Sequence, residues 1–412
     1  MSQIGTYVLY VIMACAILGA FAAIRDSERG LGYEFLQGIY QIGPIFIPVA
    51  GIMASIPYLS KAIVYLFGPL FSLVGADPAI AATTIIAVDM GGYQLAEAIA
   101  ATKESWIMAM ITGYMAGATI VFSVPVGLVM LDKRDHKYLA LGVMSGILTV
   151  PIGVLASTCL LALTNTPVRD IISTDALPNY YLDYNLGLIF ANLLPLFIIC
   201  VLIALGLRYY PNFMIKAFLW FGKIMDTGIK LVLVFSIVEY FTGVFSTIFG
   251  YWGFDPIIAD SENQFRALEI AGYIGVMLAG AFPMVYLIKK YLAKPLERIG
   301  RKCGFTSVGS AGILAASANI LAMYRIIKDM PPKDKVRCIS FAVCCAFLFG
   351  DHMAFTANFQ PTMIACVMLG KITGGLLGIA LATWLSVPRA LELEQEDRAA
   401  GIIKKNEYLN LS

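Results

Sequence analysis

The sequence predicts an all-α, polytopic membrane protein built as an inverted-repeat secondary transporter, with about nine spans and two re-entrant hairpins. Three observations carry that prediction. Of 412 residues, 59% are hydrophobic and only 14% are charged, and the mean hydropathy is +0.79, far from the balance of a soluble globular domain. Apolar runs of about 20 residues, long enough to cross a bilayer as a helix, recur along nearly the whole chain. The connecting loops alternate between basic and acidic or neutral, which orients the runs, because Lys and Arg favour short cytoplasmic loops. No sizeable soluble domain fits between the runs, and a formal net charge of +2 is too small to imply nucleic-acid binding.

The basic loops are residues 132–137 (DKRDHK), 289–302 and 325–337; the acidic or neutral ones are 164–185 and 251–269. With the basic set inside, the first helix, residues 4–24, runs inward from an N-terminus on the outside. It lacks a basic leader and a small-residue cleavage site, so it reads as a retained helix and not a signal peptide. Spans then follow at 38–59 (outward), 106–131 (inward), 138–163 (outward), 186–207 (inward), 227–250 (outward), 270–288 (inward), 338–359 (outward) and 362–385 (inward). The charged tail, 389–412, is left in the cytoplasm.

Two segments do not fit as single spans. Residues 303–330 have basic loops on both sides, and their small-residue core, GSAGILAASANILA, suits close packing and an unwound tip; they read as a hairpin entering from the inside. Residues 62–100 occupy the corresponding place in the first half and read as a hairpin entering from the outside. A weak repeat at a shift of roughly 230 residues supports this pairing. It sets GVMSG (142–146) near GKITG (370–374), YQIG (40–43) near GYIG (272–275), and the neighbourhood of Asp89 on residues 319–324. The expected organisation is a first repeat at 1–164, a linker with one span at 165–225, and a second, inverted repeat at 226–388. Lys103 and Lys333 then fall on opposite sides of the membrane.

The anomaly in the first hairpin is IIAVDMGGYQLAE (85–97). An ionised Asp89 in hydrocarbon costs about 2.5 to 3.5 kcal/mol on insertion scales, so it faces a partner or a polar cavity. Gly91 and Gly92 weaken the helix beside it and allow backbone or ligand to approach. The second anomaly is GDHMAFTANFQP (350–361), which sets Asp351, His352, Thr356, Asn358 and Gln360 in an apolar context. Two structural readings stay open: Asp351 as a helix N-terminal cap, and Asp89 paired with Lys371, a lysine within a span that needs a partner. Tyr93, Phe355 and Tyr324 are candidates for an aromatic wall against a cation, although rings in membrane helices are more often packing. Asn319, in the second hairpin, carries an amide that is costly to bury unpaired.

His136 and His352 are the only histidines, and no HExxH, GxSxG or P-loop pattern occurs, so no catalytic residue, metal or cofactor is expected. The eight cysteines lack CxxC spacing and read as small buried hydrophobes. Two facing aspartates, Asp89 and Asp351, would satisfy an intramembrane aspartyl protease by residue type, a remote alternative.

The runs VDMGGYQLAE (88–97), GATIVFSVPVGL (117–128), YLALGVMSGILTVPIG (138–153), GDHMAFTANFQPT (350–362) and LGKITGG (369–375) resemble the ethanolamine permease family of bacterial ethanolamine-utilisation operons, in order and over most of the chain. The resemblance implies ethanolamine uptake across the inner membrane, by facilitated diffusion or by ion-coupled alternating access. It makes ethanolamine and the lipid bilayer the expected partners, with a homo-oligomer compatible. Ethanolamine is mostly a cation at neutral pH and carries a hydroxyl. Asp89 with Tyr93 then suits the ammonium, Asn319, Thr356 or Asn358 the hydroxyl, and Asp351 with His352 offers a site for proton or sodium coupling. A carrier for another small amine, alcohol or nucleoside-like solute is the alternative within transport.

Overall fold

A computed structural model of the protein describes residues 2–401, and among them helices account for all regular structure apart from one bridge between Val168 and Tyr180. Helix α1 (Ser2–Arg25) is mostly apolar and leaves Ile17, Phe21 and Ile24 exposed on its outer face. Helices α2 (Gly30–Tyr40) and α3 (Ile42–Ala54) form one crossing with a break at Gln41. Pro44 explains the break, since its ring has no N–H to donate to the Tyr40 carbonyl and crowds it. Helix α4 (Ile56–Ser72) is a separate element ending in a turn at Gly75. The expected first hairpin, 62–100, is therefore shortened, because its first eleven residues belong to α4.

What doubles back is α5 (Ala79–Ile85) and α6 (Gly92–Ile99), joined by a tip with one 3₁₀ turn at Val88–Met90. Asp77 ties the two feet together. Its Oδ1 accepts from the Ala79 N–H at 2.9 Å and its Oδ2 from the Ala101 N–H at 2.8 Å. The next crossing is α7 (Lys103–Thr112), a π-helical stretch at Gly113–Ser123, and α8 (Val124–Met130), almost wholly buried. Helices α9 (His136–Ile147) and α10 (Val150–Leu163) return the chain, with Pro151 in the first turn of α10. After the 164–185 loop come α11 (Leu186–Tyr209), α12 (Pro211–Thr242), the short α13 (Val244–Phe249) and α14 (Ala267–Lys302).

The second doubled-back segment is α15 (Ser307–Ala318) and α16 (Ile320–Ile327), broken at Asn319. Its feet also meet at an aspartate: Asp334 Oδ2 accepts from the Thr306 N–H at 2.9 Å and from its hydroxyl at 2.7 Å. Asp334 lies in the first turn of α17 (Pro332–Cys345), which unwinds over residues 346–350 before α18 (Asp351–Phe359). A 3₁₀ turn (Pro361–Met363), α19 (Ile364–Leu385) and α20 (Val387–Ala399) complete the described chain. Of the expected tail at 389–412, residues 402–412 lie outside the described residues.

Two layers follow from the packing. Helices α9, α10, α17 and α19 pack on one another and on the π-helical stretch, while α1, α2, α3, α12 and α14 form a second group. Small residues set the first layer's spacing; a Cβ on Gly374 would come within 3.4 Å of the Gly153 Cα, the close approach that membrane helices use in place of hydrophobic pressure. Among the described residues seven helical stretches are long and apolar enough to cross a membrane: Gln3–Arg25, Gly30–Ala54, Lys103–Met130, Lys133–Leu163, Leu186–Tyr209, Ala267–Lys302 and Pro361–Leu385. Helix α12 carries Lys216, Lys223, Asp226 and Lys230, and the α17–α18 pair is interrupted, so neither joins that set.

The basic loops gather at one end. Lys335 Nζ meets Asp135 Oδ1 at 2.7 Å and Lys137 pairs with Asp397 at 2.6 Å. The other end carries the 164–185 and 251–266 loops, where the Tyr180 hydroxyl donates to Glu104 at 3.1 Å and Arg266 pairs with Asp260 at 3.0 Å. Helices α7–α8 run between these ends, so Lys103 and Lys333 sit at opposite ones.

Candidate functional site

The backbone interruptions converge on one cavity of about 330 Å³. Its walls are the tip of the first doubled-back segment (Ala87, Asp89, Met90), the π-helical stretch (Ala118, Phe122), and the tip of the second segment (Asn319, Leu321). The unwound join of α17 and α18 adds Phe347, Asp351 and His352, and the α2–α3 break adds Gln41, Pro44, Ile45 and Pro48. Non-helical backbone is tolerated at membrane depth only where protein or a wet cavity satisfies it.

Each interruption has a local cause. At the first tip Gly91 adopts φ +93°, ψ −1°, a conformation that costs an L side chain about 1–2 kcal/mol. A Cβ on Gly92 would lie 2.6 Å from the Ala87 carbonyl oxygen, so the turn closes only without one. At the second tip, Asn319 is extended and its Oδ1 caps α16 by accepting from the Leu321 N–H at 2.8 Å, which leaves its Nδ2 as a donor at the cavity wall. The unwound 346–350 stretch satisfies its backbone on that same tip. The Phe347 N–H donates to the Ala316 carbonyl at 3.2 Å and the Phe349 N–H to the Ser317 carbonyl at 2.8 Å.

The charges are arranged unevenly. Among the described residues no side-chain donor or cation bonds the carboxylate of Asp89 or of Asp351, although both line the cavity. Asp351 occupies the first turn of α18 without making a side-chain capping bond. Lys371, wholly buried on α19, is bonded elsewhere than to Asp89. Its Nζ donates to the Tyr114 carbonyl at 2.9 Å and lies 2.9 Å from His352 Nδ1. Tyr114 lies in the π-helical stretch, and its carbonyl, with two lone pairs, takes the ammonium as a donor. Two carboxyl groups thus line the cavity, and the one buried lysine near it is turned to a carbonyl and an imidazole.

Of the residues singled out from sequence, Asp89, Asn319, Asp351 and His352 meet on this cavity, with Gly91 and Gly92 shaping its tip. The others stand behind the wall. Tyr93 is fully buried, stacks on Trp106 at 4.7 Å, and its hydroxyl accepts from Gln360 Nε2 at 2.9 Å. Phe355 packs edge-on against Tyr93 at 5.6 Å. The Thr356 hydroxyl bonds the Tyr114 hydroxyl and the His352 carbonyl, each at 2.6 Å. Asn358 donates to the Tyr273 and Ala354 carbonyls, both at 3.0 Å, and Tyr324 donates to the Ser123 carbonyl at 2.8 Å. The rings that face the cavity are Phe122 and Phe347, not Tyr93, Phe355 or Tyr324.

Sequence reasoning missed those two rings, along with Gln41, Pro44 and Pro48. The signal available was a glutamine and two prolines inside an apparent span, which marks a broken crossing. It also missed Arg169, in a loop read only as acidic or neutral. The Arg169 guanidinium donates to the Asn358 and Phe359 carbonyls at 2.7 and 3.2 Å, where a cation complements the helix dipole and its free carbonyls.

No solved structure matches the chain. A 36% identical relative from Listeria monocytogenes, described as a probable ethanolamine permease EutH, aligns over 93% of this chain and 95% of its own length. A Salmonella typhimurium protein of the same description is 34% identical over 90% of this chain and 88% of its own. YxeR of Bacillus subtilis, described as uncharacterized, is 31% identical over 95% of this chain and 98% of its own. The family model described as "Ethanolamine utilisation protein, EutH" matches residues 4–385, and with these relatives it shows that the chain belongs to the EutH family.

Proposed function

We propose that this multi-pass membrane protein carries ethanolamine across the bacterial inner membrane for use as a carbon and nitrogen source. In this reading the ammonium sits between Asp89 and Asp351, and the hydroxyl lies toward Asn319. The observation that carries it is the pair of carboxylates, neither bonded by another side chain among the described residues, sharing one small cavity with the Asn319 amide donor. An ammonium offers these carboxyl groups the donor that no described side chain supplies, and a charge-assisted bond in a low-dielectric site is worth more than a neutral one. Phe122 and Phe347 supply the apolar and aromatic wall, and Tyr93, Phe355, Thr356 and Asn358 hold that wall from behind. The relatives described as permeases favour a carrier over the aspartyl-protease reading, although the same two aspartates would serve either.

The architecture fits an inverted repeat of nine crossings, counting α12 and the broken α17–α18 pair. Residues 1–164 and 226–388 form the halves, and 165–225 forms the linker. Several features support it. Each doubled-back segment has its feet tied by an aspartate, Asp77 at one end of the molecule and Asp334 at the other. Each is followed by a crossing altered near its middle, at Gly113–Ser123 or at 346–350. The gathering of basic loops at one end favours a cytoplasmic C-terminus and an N-terminus outside. Transport then consists of the hairpin-bearing layer moving against α2, α3 and α14, which opens the cavity to each side in turn.

Saturable uptake of radiolabelled ethanolamine into proteoliposomes at mildly acidic pH, where lipid leak of the neutral amine is small, tests this directly. Competition by excess unlabelled ethanolamine but not by choline or serine is expected. Uptake no greater than in protein-free vesicles would refute it. Imposed proton and sodium gradients sort the mode: acceleration by either makes the protein a symporter, and indifference to both makes it a facilitator.

A further inference from the structure

We infer that Lys371 is a positioning residue that fixes His352 as an Nε2–H donor, and that this N–H reads the hydroxyl oxygen of the bound amine. The site thereby selects amino alcohols over plain alkylamines. The inference rests on the cavity being the substrate site proposed above.

The chemistry starts at Lys371. Its ammonium can only donate, and its Nζ lies 2.9 Å from both the Tyr114 carbonyl oxygen and His352 Nδ1. Nδ1 must therefore accept, and a neutral imidazole accepting at Nδ1 carries its proton on Nε2. A second ring proton would set two cations in contact. The ring is also clamped against flipping, by Tyr114 with centroids 5.0 Å apart and by Phe347 at 5.4 Å.

His352 lines the cavity with 1% of its surface exposed, and its Nε2 is buried without a hydrogen-bond partner. The Ala346 carbonyl of the unwound stretch sits beside the ring without completing a bond to Nε2. A buried donor left open is costly, so it is a place for a ligand acceptor. Asp89 and Asp351 on the same cavity decide which acceptor. A ligand carboxylate would crowd a cavity that already holds two carboxyl groups, whereas a neutral hydroxyl oxygen would not. Asn319 Nδ2 can donate to the same oxygen, so the hydroxyl end has two donors and the ammonium end two carboxylates.

The test uses the full chain in lipid nanodiscs, with displacement of radiolabelled ethanolamine by ethylamine, which keeps the ammonium and lacks the hydroxyl. Wild type is expected to bind ethylamine at least about tenfold more weakly, since a site built to bond a hydroxyl is left with open donors by the analogue. His352→Leu should weaken ethanolamine and leave ethylamine unchanged, which collapses the ratio; His352→Gln, which keeps an amide donor, should restore most of it. Nitrogen NMR of isotope-labelled histidine in a His136→Gln background, where His352 is the single histidine, reads the tautomer whether or not ligand is bound. A neutral ring with bare Nδ1 and protonated Nε2 is expected, and Lys371→Met should abolish that signature. An Nδ1–H tautomer or an imidazolium in the wild type would overturn the inference, as would His352→Leu lowering both amines equally. Failure of the wild type to bind ethanolamine at all would instead bring down the substrate reading, and the tautomer measurement would still stand on its own.

Discussion

Replacing Gly91 by alanine probes the hairpin tip without touching a charge. Gly91 holds φ +93°, and placing an L residue there costs about 1–2 kcal/mol. The added Cβ would also lie 2.9 Å from Ile52 Cγ2 and 3.1 Å from Ile52 Cβ on α3, and such overpacking typically costs 1–3 kcal/mol. The sum is about 2–5 kcal/mol, relieved only by moving the tip or α3, both of which border the cavity. Gly228→Ala on α12 is the control, because a Cβ there meets nothing within 4 Å and a helix-interior Gly→Ala change gains up to about 1 kcal/mol. Thermal unfolding of both variants in matched lipid, followed by uptake at equal protein density, reads the effect. The Gly91 variant should melt lower and take up ethanolamine more slowly, while the Gly228 variant should match or exceed wild type in stability. Wild-type melting and uptake for Gly91→Ala would refute the account of the tip.

Two further outcomes follow from buried polar groups away from the cavity. Lys335→Met leaves Asp135 buried with its main cation gone, the pair being 2.7 Å apart and 1% and 2% exposed. Breaking such a pair costs about 3–5 kcal/mol, whereas making both residues apolar is often close to neutral. The single variant should therefore melt well below wild type and Lys335→Met with Asp135→Leu should recover most of the loss. Arg169→Gln withdraws the guanidinium from the Asn358 and Phe359 carbonyls and should cost about 1–3 kcal/mol. Hydrogen exchange should rise in the last turn of α18 and stay unchanged in α9.

Seven of the nine expected crossings coincide with apolar stretches long enough to span, legible because lipid imposes a minimum length; 227–250 and 338–359 are not among them. Two of the basic loops, 132–137 and 325–337, meet at the Lys335–Asp135 pair, and the last helix joins them at Lys137–Asp397. Four of the cavity's polar residues were legible for a related reason, since Asp89, Asn319, Asp351 and His352 are each too costly to leave in hydrocarbon without a use; Gln41 was not. Its aromatic wall was not legible. Tyr93 and Phe355 share motifs with the polar residues, but helix phase turns them into the packing behind, and Phe122 and Phe347 look in sequence like any other core residue. Lys371 was noticed as a charge, yet its partner was misread. Its bonds go to the Tyr114 carbonyl, in the π-helical stretch, and to His352, and no pattern of residue types announced the carbonyl. The stretch that doubles back begins later than the expected 62–100 because α4 is apolar enough to read as a first arm, and Asp77, which ties its feet, acts through a bond to Ala101 far along the chain.

The claim on which the rest depends is that Asp89 meets the ammonium. Concentration dependence of labelled ethanolamine uptake at mildly acidic pH, compared between wild type and Asp89→Asn at equal protein density and equal melting temperature, tests it. Losing one charge-assisted bond of about 1.5–3 kcal/mol predicts half-saturation at roughly 10- to 100-fold higher ethanolamine. An Asp89→Asn variant that saturates at the wild-type concentration and rate would contradict the account.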